Sequence, residues 1–125
     1  MVRVLIVDDQ LPFRLAAAAV VDATDSFVVA GAVNSAEQAL AEIDVLTPDL
    51  VLMDVNMPGL GGVRASRRLR RDHPDVVVVL LSSYDEAEFA DVAAECGAAA
   101  YLSKVAFGPD VLAQIWSAAG KSGSS

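Results

Sequence analysis

Five short apolar runs, rich in β-branched residues, alternate along this chain with segments of helical period, and that alternation limits the fold more than any other feature. The first run, Val2–Val7, ends abruptly at Asp8 and Asp9. Leu11–Ala23 then reads as a helix, with Pro12 tolerated in the first turn, where its missing N–H has no helical partner. Phe27–Val33 is the second strand, and Ser35 with Gln38 forms a capping box that opens a helix running to about Leu46, ahead of Pro48. Leu50–Met53 is the third strand and delivers Asp54. After the loop 56–62 comes an arginine-rich helix that must end by His73, because the residue before Pro74 is pushed out of helical geometry. Val76–Leu81, six apolar residues in succession, suits a strand buried on both faces. Asp85 can cap a fourth helix and Gly97 can terminate it. Ala99–Leu102 is a short fifth strand, and Gly108-Pro109 opens a last helix reaching about Ala119.

Five successive strand–helix units imply an α/β fold with a mainly parallel sheet and helices on both faces. A length of 125 residues argues for one domain, here 1–119, followed by a linker-like tail over 120–125. The formal net charge of −8 makes the chain a poor partner for nucleic acid or anionic membrane. Five of the nine basic residues gather at Arg64, Arg67, Arg68, Arg70 and Arg71, and with no aromatic residues between them they read as a solvated helix face. The single cysteine, Cys96, excludes an internal disulfide and reads as packing. No apolar run approaches the ~20 residues of a membrane span, and the N-terminal run is too short for a signal peptide, so the expected location is the cytoplasm.

In open parallel sheets, ligands bind beyond the carboxyl ends of the strands. Strand one is followed there by Asp8 and Asp9, strand three by Asp54, strand four ends at Ser82, and strand five is followed by Ser103 and Lys104. Carboxylates crowded together stay ionised only with a counter-charge. A hard divalent cation that keeps part of its water, such as Mg2+, meets that need, and Lys104 adds a fixed positive charge. An aspartate beside a cation and a lysine is suited to accept a phosphoryl group, whose oxygens need several positive partners.

These residues closely resemble the receiver domains of bacterial two-component response regulators. The likeness covers about Val2 to Ala119 and rests on Asp8-Asp9, on Met53-Asp54-Val-Asn-Met57-Pro58, on Ser82, and on Tyr101-Leu-Ser-Lys104. It implies a five-stranded sheet in the order 2-1-3-4-5, the doubly wound three-layer sandwich of flavodoxin and CheY. It also implies that Asp54 is phosphorylated by a histidine kinase, and that Asp9, Asp54 and the Asn56 carbonyl ligate Mg2+, with Asp8 acting through a bound water. Lys104 would then touch the phosphoryl group, Ser82 would hydrogen-bond it, and Tyr101 would be an aromatic switch. The domain would act as no enzyme beyond catalysing its own phosphorylation and dephosphorylation.

The stretches Ser82-Ser83-Tyr84-Asp85 and Gly97–Lys104 look like the LuxR or NarL subgroup, whose output is a helix-turn-helix domain. That likeness implies homodimers on phosphorylation and DNA contact through a C-terminal domain that is not among these 125 residues. Two positions depart from the family pattern: Val105 stands where a proline usually follows the lysine, and Gly61-Gly62 stands where Asp or Asn often precedes the loop glycine, which should loosen that turn.

Blander readings exist for single residues. Asp8 or Asp9 could cap the first helix, Tyr101 could be half-buried packing with Phe107 as the nearby alternative switch, and Trp116 could anchor the last helix in the core or at a dimer face. At the level of function, the alternatives are a stand-alone phosphorelay or protein-binding module, an aspartyl-phosphate phosphatase and a flavin carrier. The phosphatase would want Asp-x-Asp where Asp8-Asp9-Gln10 stands, and the flavin carrier would want a Ser/Thr/Gly-rich loop where Leu11-Pro12-Phe13 stands.

Overall fold

The hydrophobic runs pair side by side as parallel strands. β1 (Val2–Val7) lies between β2 (Phe27–Val33) and β3 (Leu50–Asp54), and β4 (Val77–Ser82) and β5 (Ala100–Ser103) follow, giving the order β2-β1-β3-β4-β5. The computed structural model describes residues 1–57, 59, 61–83 and 97–119. The helix expected from Asp85, with Cys96, and the tail over 120–125 lie outside the described residues.

Alternation along the strands builds two cores. Leu5, Val7, Val51, Met53, Val78 and Leu80 face α2 (Ala36–Leu46) and α3 (Gly62–Asp72). Val4, Ile6, Leu50, Leu52, Val79 and Leu81 face α1 (Leu11–Asp22) and the helix Pro109–Ala118. Every residue of β3 and β4 is buried, as the unbroken apolar runs require of strands covered on both faces. Each fully buried Leu or Ile is stabilised by about 1.5–3 kcal/mol relative to exposure, so the central strands form a rigid base.

Several boundaries differ from the sequence reading by one residue. Val76 donates its N–H to the His73 carbonyl in a turn, so β4 starts at Val77 and extends to Ser82, which pairs with Ser103. At α2 the Ser35 hydroxyl accepts from the Gln38 N–H as expected, but the Gln38 side chain accepts from Asn34 rather than Ser35, so the capping box is not reciprocal. Thr47, in a left-handed conformation, ends that helix one residue before Pro48. On α3, Arg64, Arg67, Arg68 and Arg71 are exposed, whereas Arg70 folds back to donate to the Pro74 and Val76 carbonyls.

The glycine pair corrects an expectation. Gly61 adopts φ +81° and ψ 154°, a conformation open essentially only to glycine. Gly62 lies so close to the end of β3 that a Cβ there would overlap the Asp54 carbonyl oxygen. Gly61-Gly62 therefore brings α3 tightly against the strand that carries Asp54 instead of loosening the turn.

Trp116 meets Phe27 edge-on, with ring centroids 6.2 Å apart, and is partly buried in the core under α1. Among the described residues, no helix is long and apolar enough to cross a membrane.

Candidate functional site

The strand order places the ends of β1, β3, β4 and β5 along one edge, because parallel strands all point their carboxyl ends the same way. One carboxylate oxygen from each of Asp8, Asp9 and Asp54 falls within a cluster whose members are all within 4.8 Å of one another. Asp8 and Asp54 are 1% and 2% exposed, whereas Asp9 is open to solvent.

Neither Asp8 nor Asp9 caps α1. The capping position belongs to Gln10, whose side chain makes no cap hydrogen bond. Asp8 instead accepts from the Gln10 N–H through Oδ1 at 2.8 Å and pairs through Oδ2 with the Lys104 ammonium at 2.6 Å. Asp54 is the last residue of β3, one position further along the strand than expected. Its Oδ1 accepts from the Asn56 N–H at 3.0 Å, and its Oδ2 stands 3.6 Å from Lys104 Nζ.

Burial pushes the Asp54 carboxyl above its ordinary pKa, and the charges of Asp8 and Asp9 push the same way. The Asn56 N–H and the Lys104 ammonium oppose the rise without cancelling it. This is a carboxylate that gains from any further positive charge brought to it. Three hard oxygen donors with one side open to water could hold a small divalent cation.

Ser82 is fully buried at the end of β4, and its hydroxyl donates to the Asn56 side-chain carbonyl at 3.2 Å. The Ser83 N–H donates to the same oxygen at 3.4 Å. Asn56 thus bridges Asp54 through its backbone to Ser82 through its side chain. Tyr101, paired with Leu80, is half-buried on the α2–α3 side of the sheet. Phe107 packs on the opposite side against Phe13, with centroids 6.5 Å apart, so the two aromatic candidates for a switch belong to different layers.

Lys104 begins a 3-10 turn, Lys104–Ala106, and among the described residues every peptide bond is trans, the one before Val105 included. Two residues with no role expected from the sequence also reach the cluster. Arg14 donates from Nη1 to the Asp8 backbone carbonyl at 2.7 Å, and the Phe13 ring lies under the Lys104 ammonium, 4.5 Å from Nζ to centroid. Their only signal in the sequence is spacing: each lies about one helical turn into α1, where its first turn looks back at the end of β1.

A family model described as "Response regulator receiver domain" matches residues 4–116. Response regulator GacA of Pseudomonas viridiflava is 42% identical over 104 residues, which cover 83% of this chain and 49% of GacA. Response regulator UvrY of Escherichia coli K12 is 33% identical over 115 residues, 92% of this chain and 53% of UvrY. The chain therefore spans about half the length of these relatives. Among solved structures, the signal receiver domain of NarL from Mycobacterium tuberculosis superposes with a TM-score of 0.83 at 30% identity, over 95% of this chain and 97% of that one. A CheY-like receiver domain from Methanospirillum hungatei shares the fold, with a TM-score of 0.84 at 21% identity over 100% of this chain and 99% of that one. The chain belongs to the response regulator receiver domain family of two-component systems.

Proposed function

We propose that this receiver domain is a phosphoryl-accepting switch in which the Asp54 carboxylate takes a phosphoryl group from a phosphohistidine of a sensor histidine kinase. The observation that carries the reading is a buried Asp54 carboxylate set between two further aspartates and a lysine ammonium. Asp9 and Asp54 would hold Mg2+ by carboxylate, with the Asn56 backbone carbonyl as third protein ligand and Asp8 acting through a bound water. When bound, the cation would supply positive charge to the phosphoryl oxygens. Asp54 is the nucleophile: its oxygen forms the new bond to phosphorus as the imidazole leaves. Lys104 follows the charge as it moves onto the transferred group. Ser82 exchanges its bond to Asn56 for one to the phosphoryl oxygens, and Tyr101 turns inward behind it. All of these groups belong to the receiver, so it catalyses its own phosphorylation and dephosphorylation.

The output is proposed to be DNA binding by a helix-turn-helix domain in the part of the relatives that this chain does not span, with residues 1–119 as the receiver, 120–125 as a linker, and phosphorylation favouring a homodimer in the cytoplasm. In support, DegU of Brevibacillus brevis, 33% identical over 103 residues, is named a transcriptional regulatory protein. A two-component response regulator of the LuxR family from Aurantimonas superposes with a TM-score of 0.83 at 28% identity.

Acetyl phosphate with Mg2+, followed by intact-mass measurement, tests the phosphoryl step. The chain should gain one phosphoryl group, and neither the Asp54→Asn variant nor the chain in excess chelator should. Equal labelling of Asp54→Asn would overturn the assignment.

A further inference from the structure

Lysine is a point charge on a flexible four-carbon stem, so a useful ammonium must be held from several sides. The Lys104 side chain is only 11% exposed, and among the described residues the groups around Nζ are Asp8 at 2.6 Å, Asp54 at 3.6 Å and the Phe13 ring at 4.5 Å. The backbone supplies little of the hold. Lys104 begins a single 3-10 turn after a four-residue edge strand, no proline stiffens it, and the next side chain, Val105, is 96% exposed.

We propose that Phe13 is the positioning residue for the Lys104 ammonium: its π face, braced by Phe107 where the turn ends, keeps Nζ at the mouth between Asp8 and Asp54. The proposal rests on the reading of Lys104 as a phosphoryl-binding group given above. The ring's negative face attracts a cation most strongly where the cation is shielded from solvent, and the Lys104 side chain is largely buried. Phe107 lies at 6.5 Å and 50° to Phe13, and its N–H donates to the Lys104 carbonyl at 3.4 Å. The aromatic pair thereby ties α1 to the lysine-bearing turn. A leucine at position 13 would fill similar space but offer no π face.

The test is a double-mutant cycle read by the rate of labelling with acetyl phosphate and Mg2+. Phe13→Leu should slow labelling about tenfold and Phe13→Tyr should stay within about twofold of the parent, while Phe13→Leu should add nothing to Lys104→Ala. A second measurement needs no variant: in the proton NMR spectrum, the Lys104 ε-methylene should be shifted upfield by the Phe13 ring current. If Lys104→Ala labels like the parent, the reading of Lys104 itself fails. If Lys104→Ala is slow but Phe13→Leu has no effect, or the same effect in both backgrounds, Phe13 is packing only and this proposal is overturned. An ε-methylene at the ordinary lysine position would also overturn it.

Discussion

The Lys104 ammonium lies 2.6 Å from the Asp8 carboxylate, closer than the 3.6 Å that separates it from Asp54. The fixed cation of the pocket is therefore anchored on the residue beside the acceptor. Asp54 keeps an incomplete set of positive partners, which is why burial and its acidic neighbours prevail in raising its pKa.

Asp8→Asn removes the anchor and one negative charge of the cluster. The proposed role of Asp8, through a water on the cation, makes it an outer partner of the metal. Such partners typically change affinity by about 10- to 100-fold, so calorimetric titration of Asp8→Asn should show Mg2+ binding weakened within that range.

Asp54 gives a pH dependence of definite sign. Its pKa in the folded chain lies above its ordinary value, so its ionisation costs stability at neutral pH, and the cost is relieved as pH falls through the raised pKa. Without metal, Asp54→Asn should raise the urea midpoint at neutral pH, and the gain should shrink on acidification. Added Mg2+ should stabilise the parent chain at neutral pH and lose that effect as Asp54 takes up its proton. A parent chain and variant with the same pH profile would count against this account of Asp54.

Gly62→Ala sets a Cβ against the Asp54 carbonyl oxygen. Either α3 moves outward or the end of β3 shifts, and overpacking of this kind costs about 1–3 kcal/mol. Urea denaturation should show that loss, and acetyl phosphate labelling should slow because the acceptor strand is displaced. Gly61→Ala should also destabilise, through its positive φ, but with less effect on labelling, since a Cβ there meets nothing within 4 Å.

Ser82→Ala removes the hydroxyl that donates to Asn56 and, among the described residues, leaves the Ser83 N–H donating to that oxygen. One neutral hydrogen bond is worth about 0.5–1.5 kcal/mol, so the stability change should be small. The larger effect should fall on the response to beryllofluoride with Mg2+: the Tyr101 signal should shift in the parent chain and shift less in Ser82→Ala.

Much of the fold was legible because strands buried on both faces need unbroken apolar runs, and Val76–Leu81 and Leu50–Met53 show such runs plainly. Boundaries were less legible. Val76 is as apolar as its neighbours, and only its hydrogen bond to His73 removes it from the strand. The arginine cluster read as one solvated face, yet Arg70 turns back to cap carbonyls, a choice made by local geometry and invisible in a count of charges.

The sequence by itself determined which chemical groups meet. Once parallel strands are ordered β2-β1-β3-β4-β5, residues at the ends of four of them must share an edge, so Asp8, Asp9, Asp54, Ser82 and Lys104 converge whatever the details of packing. Tertiary structure alone decided how they pair: Lys104 on Asp8 before Asp54, Ser82 on Asn56, the Phe13 ring beneath the ammonium, and Gly62 against the Asp54 carbonyl. The reason is one of range. The positions of the strands follow from hydrophobic patterning many residues long, whereas the choice between two oxygens about an ångström apart in distance depends on contacts between elements distant in the chain.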